Sequence, residues 1–262
     1  MTGQVAGRLA GRKVLVVGAG TRRSDDPDAP AGNGRAIAVL AGREGASVAC
    51  ADVDAASAEA TAALVREEGA AACVVEGDVA DEESCERIVA QAAGELGGLD
   101  GLVLNVGIGQ GMGLEGTTAD NWDTTFAVNL RGHFLLSRAA LPRMGQGGSI
   151  VFISSIAGLT PGSRMPAYDA SKAGLLGLCR HVGLEGARRG VRANVVAPGL
   201  IDTPLGRLAS AGRPSRDRTP VPLGRQGTAW EVAAPTVFLL CDEASYVTGQ
   251  VLAVDGGLTA LR

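Results

Sequence analysis

Apolar residues along this chain fall into short, nearly unbroken runs. Longer segments separate them, in which apolar positions recur every three or four residues. The runs are Lys13–Val17, Ser47–Ala51, Ala72–Val75, Gly101–Asn105, Ser149–Ile153, Val191–Val196 and Val251–Val254. Runs that lack polar alternation are strands covered on both faces. Between them lie Arg35–Glu44, Ala55–Glu68, Asp81–Leu96, Asn121–Met144, Ala167–Arg188 and Thr228–Leu240. These carry helix formers at helical spacing, with charges on the opposite face. Strand alternating with helix predicts right-handed crossovers, a parallel sheet and an α/β fold. The alternation runs from end to end without a repeat or a long linker, which predicts one domain over residues 1–262.

Two segments break the rhythm: Thr21–Pro30, polar and turn-rich, and Ile201–Leu223, rich in Pro, Gly and Arg. Long irregular stretches in a compact domain are usually functional. Composition then narrows the classes. With 46% hydrophobic and 20% charged residues, the 262-residue chain has the balance of a globular protein. Glycine is the outlier at 39 residues. Aromatics at 3% argue against a stacking platform for single-stranded nucleic acid. A net charge of −4 gives no global attraction to phosphate polymers or anionic lipid. No apolar run reaches the length of a membrane span, and Met1–Arg12 has no apolar core of a secretory signal. Cys50, Cys73, Cys85, Cys179 and Cys241 form no C-x-x-C pair, as in a reduced, cytoplasmic protein. No partner among nucleic acids or membranes is therefore expected, and no metal: His133 and His181 are far apart and both fall in helices. Trp122 and Trp230 are expected to pack helices.

The first strand ends in VVGAG, with Gly18 and Gly20; after the polar segment come Gly32-Asn33-Gly34 and a helix. Glycines at a strand-to-helix turn let backbone amides approach a pyrophosphate, and the helix N-terminus favours its charge. The second strand is followed by Asp52, 18 residues beyond Gly34, near the spacing of an acid that bonds an adenosine ribose. A carboxylate there repels a 2′-phosphate and favours NAD. Arg22 and Arg23 keep NADP open, because a folded-back loop would let them pair with that phosphate. The third strand ends in Gly77-Asp78-Val79, where Asp78 reads either as a contact to adenine or as a turn cap. The fourth ends in Asn105-Val106-Gly107, again at the sheet edge where ligands bind.

After the fifth strand come Ser154 and Ser155. Tyr168 lies 13 residues beyond Ser155, and Lys172 lies one helical turn beyond Tyr168, on the same face. Moving a proton to or from a carbinol oxygen needs a group that serves as acid and base. A free tyrosine, with a pKa of ~10, is a poor base at neutral pH. A neighbouring ammonium favours its phenolate, and a serine hydroxyl can hold the substrate oxygen in line.

At this point the chain resembles the short-chain dehydrogenase/reductase family, of the single-domain type. The resemblance rests on VVGAG…GNG, CADVD, GDVAD, LNVG, FAVNL, ISSIAG, YDASK, NVVAPG and TGQVLAVDGG, and runs from about Arg12 to Ala260. It implies a doubly wound seven-stranded Rossmann sheet and a nicotinamide cofactor. It implies that Tyr168 is the general acid/base, that Ser155 orients the substrate oxygen, and that Lys172 binds the nicotinamide ribose and lowers the tyrosine pKa. It implies that Asn129 holds a water linking Lys172 to solvent; without the family, Asn129 reads as a structural amide inside a helix. Ile201 and Thr203, after Pro198-Gly199, would contact the carboxamide. The segment at about 201–223 would be a substrate lid, and Asn121–Met144 and Ala167–Arg188 would pair in a homotetramer.

Three features depart from the family pattern. Val17 replaces a threonine, and about ten residues separate Gly20 from Gly32, so the amides that meet the phosphates are open. Leu104 replaces the first asparagine of N-N-A-G. Gly109, Gly111 and Gly113 form a loop that reads as a substrate wall or as plain solvent-facing chain. Arg207, Arg213, Arg216, Arg218 and Arg225 read as attraction for an anionic substrate group or as a solvated loop diluted by Asp202 and Asp217. The expected activity is hydride transfer between NAD(H) and a secondary alcohol or ketone. The alternatives are reduction of 3-oxoacyl thioesters on acyl carrier protein or CoA, suggested by PLGRQGT and GGLTA, and a non-catalytic nucleotide sensor.

Overall fold

Val14 and Val16 enter one hydrophobic core, while Leu15 and Val17 enter another. Val48 and Cys50 split in the same way from Ala49 and Ala51, and Val103 from Leu102 and Leu104. This is the two-residue period of strands buried on both faces. The computed structural model describes residues 7–22, 24, 26, 28–211 and 219–261. Arg23, Arg213, Arg216, Asp217 and Arg218, singled out above, lie outside the described residues.

The strands are β1 (Lys13–Val17), β2 (Ser47–Asp52), β3 (Ala72–Glu76), β4 (Leu99–Leu104), β5 (Met144–Ile153), β6 (Arg192–Pro198) and β9 (Val251–Val254). They form one parallel seven-stranded sheet in the order β3-β2-β1-β4-β5-β6-β9. The direction of winding reverses between β1 and β4, which opens a crevice at their carboxyl ends. Two further strands, β7 (Ile201–Asp202) and β8 (Gly227–Thr228), pair with each other beside the sheet.

One core face is covered by α1 (Asn33–Arg43), α2 (Ala55–Glu67) and α8 (Ala229–Leu240), through Ile37, Val65 and Val237. The other is covered by α3 (Glu82–Leu96), α5 (Gly132–Ala140) and α6 (Pro166–Ala187), through Ile88, Leu136 and Leu175. Local chemistry starts most of these helices. Asp54 caps α2, Asp81 caps α3, and reciprocal boxes of Thr118 with Asn121 and Thr228 with Glu231 start α4 (Ala119–Phe126) and α8. Helix α1, at the winding reversal, starts from Gly32 with no capping side chain.

The expected helix Asn121–Met144 is not continuous. It divides into α4, a π turn at Ala127–Arg131, α5 and a 3₁₀ turn at Leu141–Arg143, and Met144 opens β5. The wide turn shifts the helical phase and carries Asn129 fully into the interior. Pro142 then ends the α-helical ladder, because it has no N–H to donate. Trp122 and Trp230 are also less enclosed than expected. Trp122 stacks on Phe126 of its own helix with ring centroids 4.7 Å apart, and Trp230 carries the Arg43 guanidinium over its face. No helix of the described residues is long and apolar enough to cross a membrane.

Candidate active site

The crevice at the carboxyl ends of β1 and β4 is a cavity of about 500 Å³. Gly18, at the exit of β1, has φ +80, and a β-carbon there would come within 3.0 Å of the Val106 backbone. A β-carbon at Gly34 would strike the Gly18 carbonyl oxygen, so α1 packs directly on the strand end. Asn105 Nδ2 donates to that same carbonyl at 2.8 Å, tying β4 to the turn. Asn33, in the first turn of α1, lines the cavity, and its Oδ1 is buried with no hydrogen-bond partner.

Asp52 lines the cavity from the end of β2. Its Oδ2 accepts from the Gly20 amide at 2.9 Å and its Oδ1 from the Asp54 amide at 3.2 Å. The Gly20 N–H is therefore already engaged by Asp52, which leaves the first amides of α1 as the open donors. The inserted segment after Gly20 closes on itself at its base. The Gly32 amide donates to Thr21 Oγ1 at 3.1 Å, and the Thr21 amide donates to Ser57 Oγ at 2.8 Å. Sequence reasoning had not singled out Thr21 or Ser57, because their partners lie in distant segments.

Gly32, Asp78, Val79, Gly107 and Thr203 also line the cavity. Asp78 caps its own turn as well, with Oδ1 accepting from the Ala80 amide at 2.9 Å. Pro198, Gly199 and Ile201 are placed otherwise. Gly199 packs on Asp255, where a β-carbon would meet Cα at 2.7 Å, and the Ile201 side chain belongs to the core. None of the three is among the residues that line the cavity, so any cofactor contact there would fall to the backbone.

Lys172 is only 3% exposed, lines the cavity and donates through Nζ to the Ile153 carbonyl at 3.0 Å. Its Nζ stands 5.8 Å from the centroid of the Tyr168 ring, which lines the same cavity. Burial lowers the Lys172 pKa to about 8. Gly107 is what admits the ammonium: a β-carbon there would lie 2.9 Å from Nζ.

The two serines divide their work. Ser154 Oγ donates to the Lys172 carbonyl at 2.8 Å, so it joins the end of β5 to α6. Ser155 is extended and heads a 3₁₀ turn, with Oγ accepting from the Ala157 amide at 3.2 Å. Asn129 is fully buried on the π turn. Its Oδ1 accepts from the Ile108 amide and its Nδ2 donates to the Ile108 carbonyl, each at 2.8 Å, and Nδ2 also donates to Ser171 Oγ at 3.0 Å. The side chain clamps the loop after β4. His133, on α5, assists: its fully buried ring nitrogen Nε2 donates to the Val106 carbonyl at 3.1 Å. Burial, and then the Lys172 charge, push its pKa down to about 3 and keep it neutral. Nothing in a single histidine's sequence context signals that role.

The glycine loop backs onto the site. A β-carbon at Gly109 would lie 2.7 Å from Met165 Sδ and 3.6 Å from the Tyr168 ring. Its far end is held where the Gly113 amide donates to the carbonyl of Arg164, a non-glycine residue with φ 65. The described arginines of the irregular segment are paired rather than free. Arg207 binds Asp202 and Asp26, and Arg225 binds Glu231 at 2.6 Å. For these two the pairing fits the reading as surface charges diluted by neighbouring carboxylates, rather than attraction for an anionic group.

Comparisons with known proteins agree with this architecture. Residues 29–259 match the family model described as enoyl-(acyl carrier protein) reductase. The chain is 35% identical to a 3-oxoacyl-[acyl-carrier-protein] reductase of Thermotoga maritima, over 96% of this chain and 99% of that protein. It is 37% identical to 2-(S)-hydroxypropyl-CoM dehydrogenase 3 of Xanthobacter autotrophicus, over 98% and 100%. Among solved structures it superposes on levodione reductase with a TM-score of 0.89 at 34% identity, covering 97% of this chain and 100% of that one. With a parallel seven-stranded sheet, a glycine-built crevice and a buried lysine beside a tyrosine, the chain belongs to the short-chain dehydrogenase/reductase family of nicotinamide-dependent oxidoreductases.

Proposed function

We propose that this enzyme transfers hydride between NAD(H) and a secondary alcohol or ketone, with Tyr168 as general acid/base. The observation that carries the reading is the buried Lys172 ammonium, 5.8 Å from the Tyr168 ring in the wall of one cavity. In oxidation, Tyr168 takes the hydroxyl proton as the carbinol C–H bond breaks and the carbonyl forms. In reduction it returns that proton to the oxygen. Bound nicotinamide accepts or supplies the hydride. Lys172 favours the phenolate by its charge, and Ser155 Oγ orients the substrate oxygen.

A dinucleotide suits the cradle. The uncapped start of α1 offers amides to the pyrophosphate, and Asn33 Oδ1 is an acceptor without a donor. Asp52 favours NAD over NADP, since its carboxylate faces the ribose position and repels a 2′-phosphate. Asn129 serves by clamping Ile108, which leaves any ordered water to backbone groups of the π turn. Residues 201–223, with α7 (Pro204–Ser210), act as a substrate lid, because Thr203, Pro204 and Leu205 wall the cavity.

Two copies meet through α4, α5 and α6 within a homotetramer. Phe126, Leu130 and Leu178 line a shallow groove there, beside a half-exposed Phe134. The protein works in the cytoplasm, a reading that the five free cysteines support. The test is Tyr168→Phe assayed against a panel of ketones and alcohols. Turnover is expected to fall at least about 100-fold while NADH binding is kept; full activity would overturn the assignment.

A second reading, reduction of 3-oxoacyl thioesters, is favoured by the similarity to the Thermotoga reductase. Preference for an acetoacetyl thioester over cyclic ketones in the same panel would select it.

A further inference from the structure

The insertion after Gly20 and the start of α7 belong to the two sides of one cavity. Thr21 and Arg22 line it from the insertion, and Thr203, Pro204 and Leu205 from the other side. An ion pair joins these walls: Arg207 Nη1 donates to Asp26 Oδ2 at 2.8 Å. Both groups are fixed before they meet. The remaining arginine donors hold Asp202, with Nε at 2.7 Å from Oδ1 and Nη2 at 3.0 Å from Oδ2. Asp26 Oδ1 accepts from the Asp28 amide at 3.0 Å, which leaves Oδ2 to face the guanidinium. The base of the insertion is pinned where the Gly32 amide meets Thr21 Oγ1. The insertion is therefore anchored at Thr21, and its residue Asp26 docks on Arg207 of α7.

We propose that Asp26 is a positioning residue that straps the insertion to the lid helix and so retains the bound cofactor. The proposal rests on the cofactor reading above. The Asp26–Arg207 pair holds together two walls of the cavity that would take the dinucleotide, and any parting of those walls breaks it. The pair is about half exposed, with side-chain exposures of 45% and 47%, so its effect is modest and salt weakens it.

The experiment is NADH release, followed by stopped-flow fluorescence with excess NAD as trap. It compares wild type, Asp26→Asn, Arg207→Ala and the double variant at low ionic strength. Asp26→Asn keeps an oxygen for the Asp28 amide and loses the charge. It is expected to release NADH about two- to fivefold faster than wild type. Added salt should speed release from wild type and leave Asp26→Asn nearly unchanged. In the Arg207→Ala background the Asp26→Asn substitution should have no further effect. Equal release from wild type and Asp26→Asn, or an Asp26→Asn effect that persists without Arg207, would overturn the strap and leave the proposed activity standing. Failure of the wild type to bind either NADH or NADPH would overturn the cofactor reading, and the strap with it.

Discussion

The Lys172 ammonium donates to the carbonyl of Ile153, so the side chain of α6 is anchored to the last residue of β5 at 3.0 Å. That bond satisfies one proton of a cation that burial otherwise opposes. Lys172 holds its proton up to about pH 8 in the folded protein, against 10.5 ordinarily. Between those values the unfolded chain binds more protons, so this residue's contribution to stability rises with pH. Below about pH 8 the full cost of the buried charge remains.

Lys172→Met should remove that dependence. Wild type is expected to gain stability relative to the variant from pH 8 to 10.5, by on the order of 3 kcal/mol. Urea unfolding at several pH values measures it. Parallel pH curves for the two proteins would show that Lys172 titrates normally. Turnover of the variant should be nearly lost, because the phenolate of Tyr168 loses its neighbouring charge.

Ser154 and Ser155 should separate stability from chemistry. Ser154→Ala deletes a buried bond to the Lys172 carbonyl and is expected to cost about 1–3 kcal/mol of stability, with activity mostly kept. Ser155→Ala should leave the melting temperature within a few degrees and lower kcat at least about tenfold. The reverse pattern would interchange the two roles.

Gly107→Ala places a methyl group 2.9 Å from Lys172 Nζ. The ammonium must move, and with it the charge beside Tyr168. Loss of kcat with an unchanged circular dichroism spectrum is expected; full activity would mean that the lysine position is not critical.

Asp52→Asn removes the carboxylate that meets the Gly20 amide and that the proposed cofactor reading sets against the adenosine ribose. The ratio of kcat/KM for NAD to that for NADP should fall at least about tenfold. Steady-state kinetics with both cofactors gives the ratio, and an unchanged value would remove Asp52 as the discriminator.

Apolar runs buried on both faces left little choice but a parallel sheet covered by helices, and Lys13–Val17 and Val251–Val254 were legible to the residue. The fixed spacing of Ser155, Tyr168 and Lys172 was legible because one strand, one turn and one helix carry it. Asn121–Met144 was not, because a π turn has no signal in helix propensity: a single extra residue in the turn is stabilised by what Asn129 meets in a distant loop. The same holds for Asp26 and Arg207, 181 positions apart, and for His133, whose Nε2 meets the Val106 carbonyl 27 positions away.

Local order along the chain determined the strands, the helices and the residues able to do proton chemistry, since periodicity and short spacings act over a few residues. Only the tertiary structure decided which serine serves Lys172, which amide Asp52 engages and where the inserted arm docks. Those outcomes depend on hydrogen bonds between segments that come together only after the sheet has formed.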